Sequence, residues 1–268
     1  MCIRDSISAQ ASSAATAWQR FEHEAPNSLW QIDFKGYVST AAGRCHPLTL
    51  LDDHSRYNLA LRACARQQTA SVKEQLQDVF SRYGLPVRIN ADNGAPWGSP
   101  REPGQLSELA LWLIRLGVRV SFSSPYHPQT NGKDERFHRS LKAELLAGRS
   151  FQDLAQAQQQ FDRWRHVYNH ERPHQALGMN TPASRYRASE RAYPRTLPPL
   201  EYGPNDTVVK VGWLGEVRFK SKRFKVSAAL KDHEIALREQ PGRQGCYDVY
   251  FVHHKPVSYT HLTLPTKA

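Results

Sequence analysis

Short stretches of alternating apolar and polar residues, followed by stretches with helical spacing, dominate the first two thirds of the chain. Alternation is typical of half-buried strands, and it predicts strands at Trp30–Phe34, 47–52, 57–63, 87–92 and 118–122. Apolar positions three or four residues apart predict helices over 71–83, 106–116, 133–147 and 153–169. Ser71 and Glu74 have the spacing of a capping box, which would start the first helix, and Asn131 would cap the third.

The order of these elements predicts an α/β fold. The first three strands are close enough in sequence for an antiparallel meander, whereas the last two need helical crossovers and should lie parallel. We therefore expect a mixed five-stranded sheet with helices on both faces.

The C-terminal third has a different pattern. Four prolines lie within 194–204, and a strand-like region follows in which Val217, Phe219, Phe224 and Val226 would share one face of a hairpin. Basic residues would share the other face: Arg218, Lys220, Arg223 and Lys225. This pattern predicts a small C-terminal β-barrel.

The expected organisation is a linker at 7–29, a core at 30–190, a Pro-rich linker at 191–204 and the barrel at 205–256. Residues 1–6 and 257–268 resemble translated sequencing-library adapters, so we expect them to be foreign to the natural protein and the natural termini to be missing.

Composition narrows the function. The 268 residues carry 36 Lys+Arg against 25 Asp+Glu, a formal charge of +11, which favours a polyanionic partner such as nucleic acid. No apolar run reaches the length of about 18 residues that a membrane helix needs. The lack of such a run predicts no membrane partner. The four cysteines form no CxxC pair, which fits a reducing, cytoplasmic setting.

Two aspartates lie at the ends of predicted strands and would meet only if those strands are neighbours in the sheet. Asp33 and Asp92 would face away from the apolar side of their strands and emerge together at one edge of the sheet. Two adjacent carboxylates repel each other, and a cation is the natural compensation. Alternatively, Asp92-Asn93-Gly94 is only a turn.

A loop rich in turn formers at 125–132 precedes the third predicted helix. Glu135, Arg139 and Lys142 share one stripe of that helix, and an acid with two bases beyond it suits a surface that binds phosphodiesters. Alternatively, Glu135 and Arg139 form an ordinary surface ion pair, which is worth only about 0.2–0.5 kcal/mol.

Five segments together resemble the integrase core of insertion-sequence transposases, relatives of retroviral integrases with a ribonuclease-H-like fold. They are Trp30–Phe34 and the segments 51–56, 90–94, 124–136 and 168–177, and the resemblance runs from about residue 30 to residue 186. It implies that the two aspartates and one glutamate of the family correspond to Asp33, Asp92 and Glu135. Other carboxylates remain rivals for the third position: Glu102, Glu108 and Asp134.

The resemblance implies a transposase that cleaves the transposon end, after which the freed 3′-hydroxyl attacks target DNA. Carboxylates suit two Mg²⁺ or Mn²⁺ ions per active site. Implied partners are double-stranded DNA, at transposon ends and target, and further copies of the chain in a synaptic complex, in a prokaryotic cytoplasm at the nucleoid. A DNA-binding fragment without turnover and a structure-specific nuclease remain alternatives.

Further residues are candidates for DNA contact. Positively charged side chains after Glu135 would meet phosphates, and the C-terminal basic face would form a DNA platform, although a solvated surface explains each nearly as well. Besides the four basic residues of the hairpin, the candidates are His127, Gln129, Lys133, Arg136, Arg139, Lys142, Arg172 and His174.

Overall fold

The computed structural model describes residues 23–92, 94–98, 106–122, 128–243 and 245–259. The strands are β1 (Trp30–Phe34), β2 (Val38–Thr40), β3 (Gly43–Asp52), β4 (Asn58–Cys64), β5 (Arg88–Ala91), β6 (Arg119–Phe122), β7 (Thr207–Lys210), β8 (Glu216–Phe219), β9 (Lys222–Lys225), β10 (Glu234–Glu239), β11 (Tyr247–Phe251) and β12 (His254–Tyr259). The α-helices are α1 (Thr69–Tyr83), α2 (Glu108–Arg115), α3 (Pro128–Leu141), α4 (Leu154–His166) and α5 (Pro182–Arg185). Single π-helical turns extend α3 over Lys142–Leu146 and α4 over Val167–Glu171.

The core sheet confirms the predicted mixed topology. Its strand order is β4-β3-β1-β5-β6, with antiparallel pairs among β1, β3 and β4 and parallel pairs from β1 to β5 and from β5 to β6. A short sixth strand, β2, was not predicted. It pairs with the first residues of β3, which begins earlier than the sequence pattern indicated.

Helices cover both faces of this sheet, because successive side chains of each strand point to opposite sides. On one face Ile32 and Leu50 pack against α1 and α2, and the predicted stripe of α1 is buried there. On the other face Leu51 and Leu61 pack against α3 and α4. The α3 face is the one that carries the candidate site.

Two predicted helix starts are wrong. Helix α1 begins at Thr69 with Gln68 as its N-cap, so Ser71 and Glu74 lie inside its first turns and form no capping box. Helix α3 begins at Pro128, which places Asn131 within the helix. Proline has a backbone angle already suited to the first helical turn, which explains a start earlier than the apolar spacing indicated.

The C-terminal residues form two antiparallel sheets. Strands β12, β11, β10 and β7 make a four-stranded sheet, and β8 with β9 makes a separate hairpin. The predicted closed barrel is not confirmed, because within the described residues the hairpin strands pair only with each other. Residues 257–259, predicted to be adapter-derived, pair with β11 as part of β12.

Helix α2 joins the core to these C-terminal strands. Leu109 and Leu113 lie in the cluster of the core sheet, whereas Leu111 and Ile114 lie in a cluster with C-terminal residues such as Leu237. A helix that is apolar all round must be buried on all sides, and contact with two sheets satisfies this requirement.

The first part of the predicted Pro-rich linker is packed against the core. The Arg191 guanidinium donates hydrogen bonds to the carbonyls of Pro86 (2.6 Å) and Gly117 (2.9 Å), and the Arg191 carbonyl accepts one from the Leu85 N–H (2.7 Å). Tyr193 packs beside Phe80. The segment therefore packs against the ends of α1 and α2 before the chain reaches the C-terminal strands. Among the described helices, none combines the length and the apolar character needed to cross a bilayer.

Candidate active site

Asp33 lies near the end of β1, and Asp92 lies just beyond the end of β5, the parallel neighbour of β1. In the parallel pair of β1 and β5, Trp30 lies opposite Ile89 and Gln31 opposite Asn90. Continuing this offset of 59 residues (89 − 30) places Asp33 level with Asp92, just beyond the end of β5. The proximity has an electrostatic consequence, because the charge of Asp92 contributes to a raised pKa of Asp33.

The surroundings of Asp33 oppose its ionisation. Burial is the largest cause and, with the charge of Asp92, raises its pKa from 3.8 to about 6, although the Phe34 N–H and Lys35 act in the opposite direction. The Phe34 N–H donates to Asp33 Oδ1 at 2.7 Å. The side chain remains 35% exposed, so an incoming ion or substrate can reach it.

Asp92 is exposed and belongs to a turn as well. Its Oδ1 accepts a hydrogen bond from the Gly94 N–H at 2.9 Å. A side chain at position 94 would place its Cβ 3.2 Å from Asp92 Oδ2, which is tighter than ordinary contact. The turn therefore does not prevent Asp92 from lying near Asp33. The Gly94 N–H fixes Asp92 Oδ1, and the carboxylate stays at the end of the strand.

Helix α3 carries two further carboxylates, Asp134 and Glu135. Phe137, Leu141 and Leu145 form the buried stripe that the sequence predicted. Asp134 is also buried, and desolvation together with the charge of Asp33 raises its pKa to about 8. Glu135 is exposed. Asp134, a rival for the third position, therefore lies close to Asp33, and the assignment of that position to Glu135 stays a prediction.

A histidine completes a cluster that the sequence reasoning missed. Nδ1 of His138 lies 3.7 Å from Asp33 Oδ2 and 3.6 Å from Asp134 Oδ2. One ligand-type atom from each of the three residues lies within 4.8 Å of the others, and no further cluster of this kind occurs in the described part of the chain. The four-residue spacing of Asp134 and His138 on one helix was the available signal.

Thr49, on the neighbouring strand β3, orients the histidine. Its hydroxyl donates to the Asp33 carbonyl (3.1 Å) and lies 2.8 Å from His138 Nε2. Burial is the main reason that the pKa of His138 falls to about 3, with a smaller contribution from Lys35. The imidazole is therefore neutral at physiological pH.

The predicted DNA-contacting residues of α3 have different surroundings. His127 lies outside the described residues, and only the backbone of Gln129 is described. The Lys133 ammonium donates to the Asp53 carboxylate, and its side chain is only 12% exposed. Arg136, Arg139 and Lys142 are exposed. Three basic side chains thus remain accessible to phosphates, while Lys133 is occupied by an internal ion pair.

Arg172 and His174 lie near the end of α4. The Arg172 guanidinium pairs with Glu144, and His174 packs edge-on against the Tyr168 ring at 4.7 Å between centroids. Both are only partly exposed. Their proposed contact with DNA stays a prediction.

The predicted basic face of the hairpin holds for Arg218, Arg223 and Lys225 but not for Lys220, which lies in the turn after β8 with its ammonium over the Tyr247 ring. Val217 lies opposite Phe224 on the inner side, and Arg218 lies opposite Arg223 on the outer side. Lys220 donates to the Tyr247 hydroxyl, and Arg223 lies 3.4 Å from a carboxylate oxygen of Glu216. All four basic residues, including Lys225, are exposed.

Comparison with known proteins gives a consistent result. Two family models, each described as "Integrase core domain", match residues 23–128 and 116–182. The uncharacterized 39.2 kDa protein of insertion element IS476 from Xanthomonas euvesicatoria is 28% identical over 158 residues, which are 59% of this chain and 44% of that protein. The uncharacterized 31.7 kDa protein of insertion element IS407 from Burkholderia multivorans is 28% identical over 168 residues, covering 63% and 58%.

Viral relatives match as well. The Gag-Pol polyprotein of avian reticuloendotheliosis virus is 32% identical over 124 residues, which are 46% of this chain and 10% of the polyprotein. The chain thus spans between 10% and 58% of the length of these three relatives.

Proposed function

Because this chain belongs to the integrase-core family that insertion-sequence transposases share with retroviral integrases, we propose that it cuts DNA ends and joins them to target DNA. The reaction is divalent-metal-dependent hydrolysis at the DNA end, followed by attack of the freed 3′-hydroxyl on a target phosphodiester, which forms the new P–O bond and releases a 3′-hydroxyl of the target strand. The observation that carries the proposal is the placement of Asp33 level with Asp92, with a pKa raised partly by that neighbour.

The donor set fits Mg²⁺ or Mn²⁺. Carboxylate oxygens are hard ligands, and the mutual repulsion of Asp33 and Asp92 is relieved when a cation lies between them. Both side chains are accessible, and Glu135 on the exposed side of α3 is the proposed third ligand. Bound divalent ions would activate the attacking hydroxyl and neutralise the charge that develops on the phosphate.

The residues of the chain supply position and charge. The Phe34 and Gly94 N–H groups hold one oxygen each of Asp33 and Asp92, which keeps the two carboxylates in place. The exposed side chains of Arg136, Arg139 and Lys142 bind the phosphates on either side of the reacting bond. Water or a DNA hydroxyl is the nucleophile, so the chain itself needs no nucleophilic side chain.

DNA partners and assembly follow from the same proposal. The basic face of the β8–β9 hairpin binds double-stranded DNA outside the reacting site, because the exposed side chains of Arg218, Arg223 and Lys225 lie on one side of it. Two DNA ends must be joined in concert, so the active form contains more than one copy of the chain.

The test uses the full chain, Mg²⁺ or Mn²⁺, and labelled duplexes copied from the DNA that flanks the gene. Asp92→Asn should abolish cleavage and joining while DNA binding survives. Asp78→Asn is the matched control, since this exposed aspartate lies in α1 on the opposite face of the sheet. Joining by Asp92→Asn at the unmodified rate would refute the assignment.

Other outcomes separate the alternatives. Salt-sensitive binding without any cleavage in either metal would contradict the proposal and support a DNA-binding protein without turnover. Hydrolysed ends without joined products would identify a nuclease. For the third ligand, Glu135→Gln should reduce joining more than Asp134→Asn does; the reverse order would assign that position to Asp134.

A further inference from the structure

We propose that Asp33, Asp134 and His138 form a separate binding site for a transition-metal ion of the zinc class. This site uses a nitrogen ligand and a buried carboxylate from α3, whereas the proposed catalytic set consists of three carboxylates, of which Asp92 and Glu135 are exposed. It shares only Asp33 with the catalytic set.

The distances suit a small ion with tetrahedral preference. Zinc binds nitrogen and carboxylate oxygen at about 2.0–2.2 Å, so neighbouring ligand atoms lie about 3.3–3.6 Å apart around it. His138 Nδ1 lies 3.7 Å and 3.6 Å from the Asp33 and Asp134 oxygens. An ion among the three atoms therefore needs only small movements of the side chains.

The hydrogen bonds of Thr49 fix the state of the histidine. The single hydroxyl proton of Thr49 goes to the Asp33 carbonyl, so the contact with His138 requires that Nε2 carries the hydrogen. Nδ1 then presents a lone pair to the two carboxylates. An imidazole whose far nitrogen donates to a fixed acceptor is the usual arrangement of a metal-binding histidine.

Asp134 supplies an independent indication that the cluster is incomplete without a ligand. The residue is 8% exposed, and its Oδ1 is buried without a hydrogen-bond partner. Its Oδ2 faces the lone pair of His138 and the charge of Asp33. Buried carboxylates are normally paired or coordinate a metal, and the 3.6 Å between Asp134 Oδ2 and His138 Nδ1 is too long for a hydrogen bond.

The identity of the ligands selects the class of metal. Imidazole suits zinc, copper, iron and nickel, whereas sites made of carboxylates and water suit magnesium and calcium. Since Asp33 would belong to both sets, a zinc-class ion at this site competes with the ions of the active site. That consequence rests on the proposed function, whereas binding itself does not.

Cobalt absorption and zinc calorimetry on the full chain test the proposal without any activity measurement. One equivalent of Co²⁺ should give the visible bands of a low-coordinate nitrogen-containing site, and Zn²⁺ should displace it. His138→Ala and Asp134→Asn should remove this binding. Thr49→Val, which keeps the shape but frees the histidine tautomer, should weaken it by about 10-fold or more.

Two controls locate the ion. His170→Ala tests the exposed stacked pair formed with His166 and should leave binding unchanged. Glu135→Gln should also leave it unchanged, which separates this site from the catalytic set. Thermal melting of each variant checks that it is folded.

Wild-type chain without one-equivalent binding would overturn the proposal. So would undiminished binding in folded His138→Ala and Asp134→Asn. Binding lost in Glu135→Gln but retained in His138→Ala would place the ion at the catalytic carboxylates; the proposed function would then stand while this site would not.

Discussion

The carboxylates of Asp52 and Asp33 both come from strands of the core sheet, yet their neighbours differ in kind. Asp52 is fully buried and accepts hydrogen bonds from the Asn27 N–H (2.7 Å), the Ser55 N–H (2.8 Å) and the Ser55 hydroxyl (2.6 Å). Asp33 accepts the Phe34 N–H but faces the carboxylates of Asp92 and Asp134.

The contrast separates a structural acid from a candidate functional one. Burial raises the pKa of Asp52 too, but the donors from Ser55 and Asn27 oppose that rise. Around Asp33 the charge of Asp92 adds to the effect of burial, although the Phe34 N–H and Lys35 oppose it. Hydrogen-bond donors stabilise the charge of a buried carboxylate, whereas a neighbouring carboxylate destabilises it and favours binding of a cation.

The largest expected effect is on catalysis. Asp33→Asn removes a proposed metal ligand, so the rate of joining should fall about 10³-fold. This corresponds to a loss of about 4 kcal/mol of transition-state stabilisation. The melting temperature should not fall, because the substitution also removes repulsion among carboxylates. Joining rates in Mg²⁺ and thermal melting measure the two effects. A loss of stability without a loss of rate would show that Asp33, like Asp52, has a structural role.

Asp52→Ala should show the opposite pattern. It leaves three buried donors without their acceptor and should lower the free energy of unfolding by about 3 kcal/mol, while the joining rate per folded molecule stays unchanged. Urea unfolding, with exposed Asp78→Ala as control, measures the loss. A folded variant of unchanged stability that cannot join DNA would instead place Asp52 in the active site.

Much of this contrast was predictable from the sequence. Alternating residues identified β1 and β5, and the need for a helical crossover predicted a parallel direction, whereas their adjacency is a finding of the structure. The cluster with His138 was not predictable in the same way. It depends on how α3 is rotated against the sheet, and the pattern of Phe137 and Leu141 does not determine which polar neighbours also turn inwards.

The C-terminal fold was predictable only in part. The alternation of Val217 and Arg218 correctly assigned the two faces of the hairpin. Closure into a barrel depends on which strands pair across the gap between β9 and β10, and alternation carries no information about that. Helix starts were also missed, because proline geometry and packing decided where α1 and α3 begin.

A smaller effect is expected at Lys133, which was predicted to bind phosphate but pairs with the buried Asp53. Lys133→Met should lower the free energy of unfolding by about 2 kcal/mol, since it leaves a buried carboxylate without its cation. The double variant with Asp53→Asn should recover part of this loss. Unchanged stability together with weaker, less salt-dependent DNA binding would restore the phosphate role.

The smallest effect on folding is expected at Arg139. Arg139→Ala removes one exposed positive charge beside the site, so the slope of log affinity against log salt should fall by about 1 with unchanged melting. Arg66→Ala, an equal change of charge before α1 on the opposite face of the sheet, serves as control. Equal losses in both variants would show that net charge, rather than this surface, binds DNA.

Anomalous diffraction from crystals of the full chain soaked in Mn²⁺ would locate the ion at the proposed active site. We expect manganese density between the carboxylates of Asp33 and Asp92, and its loss in Asp92→Asn. Ordered Asp33 and Asp92 side chains without manganese between them, at saturating Mn²⁺, would contradict this expectation.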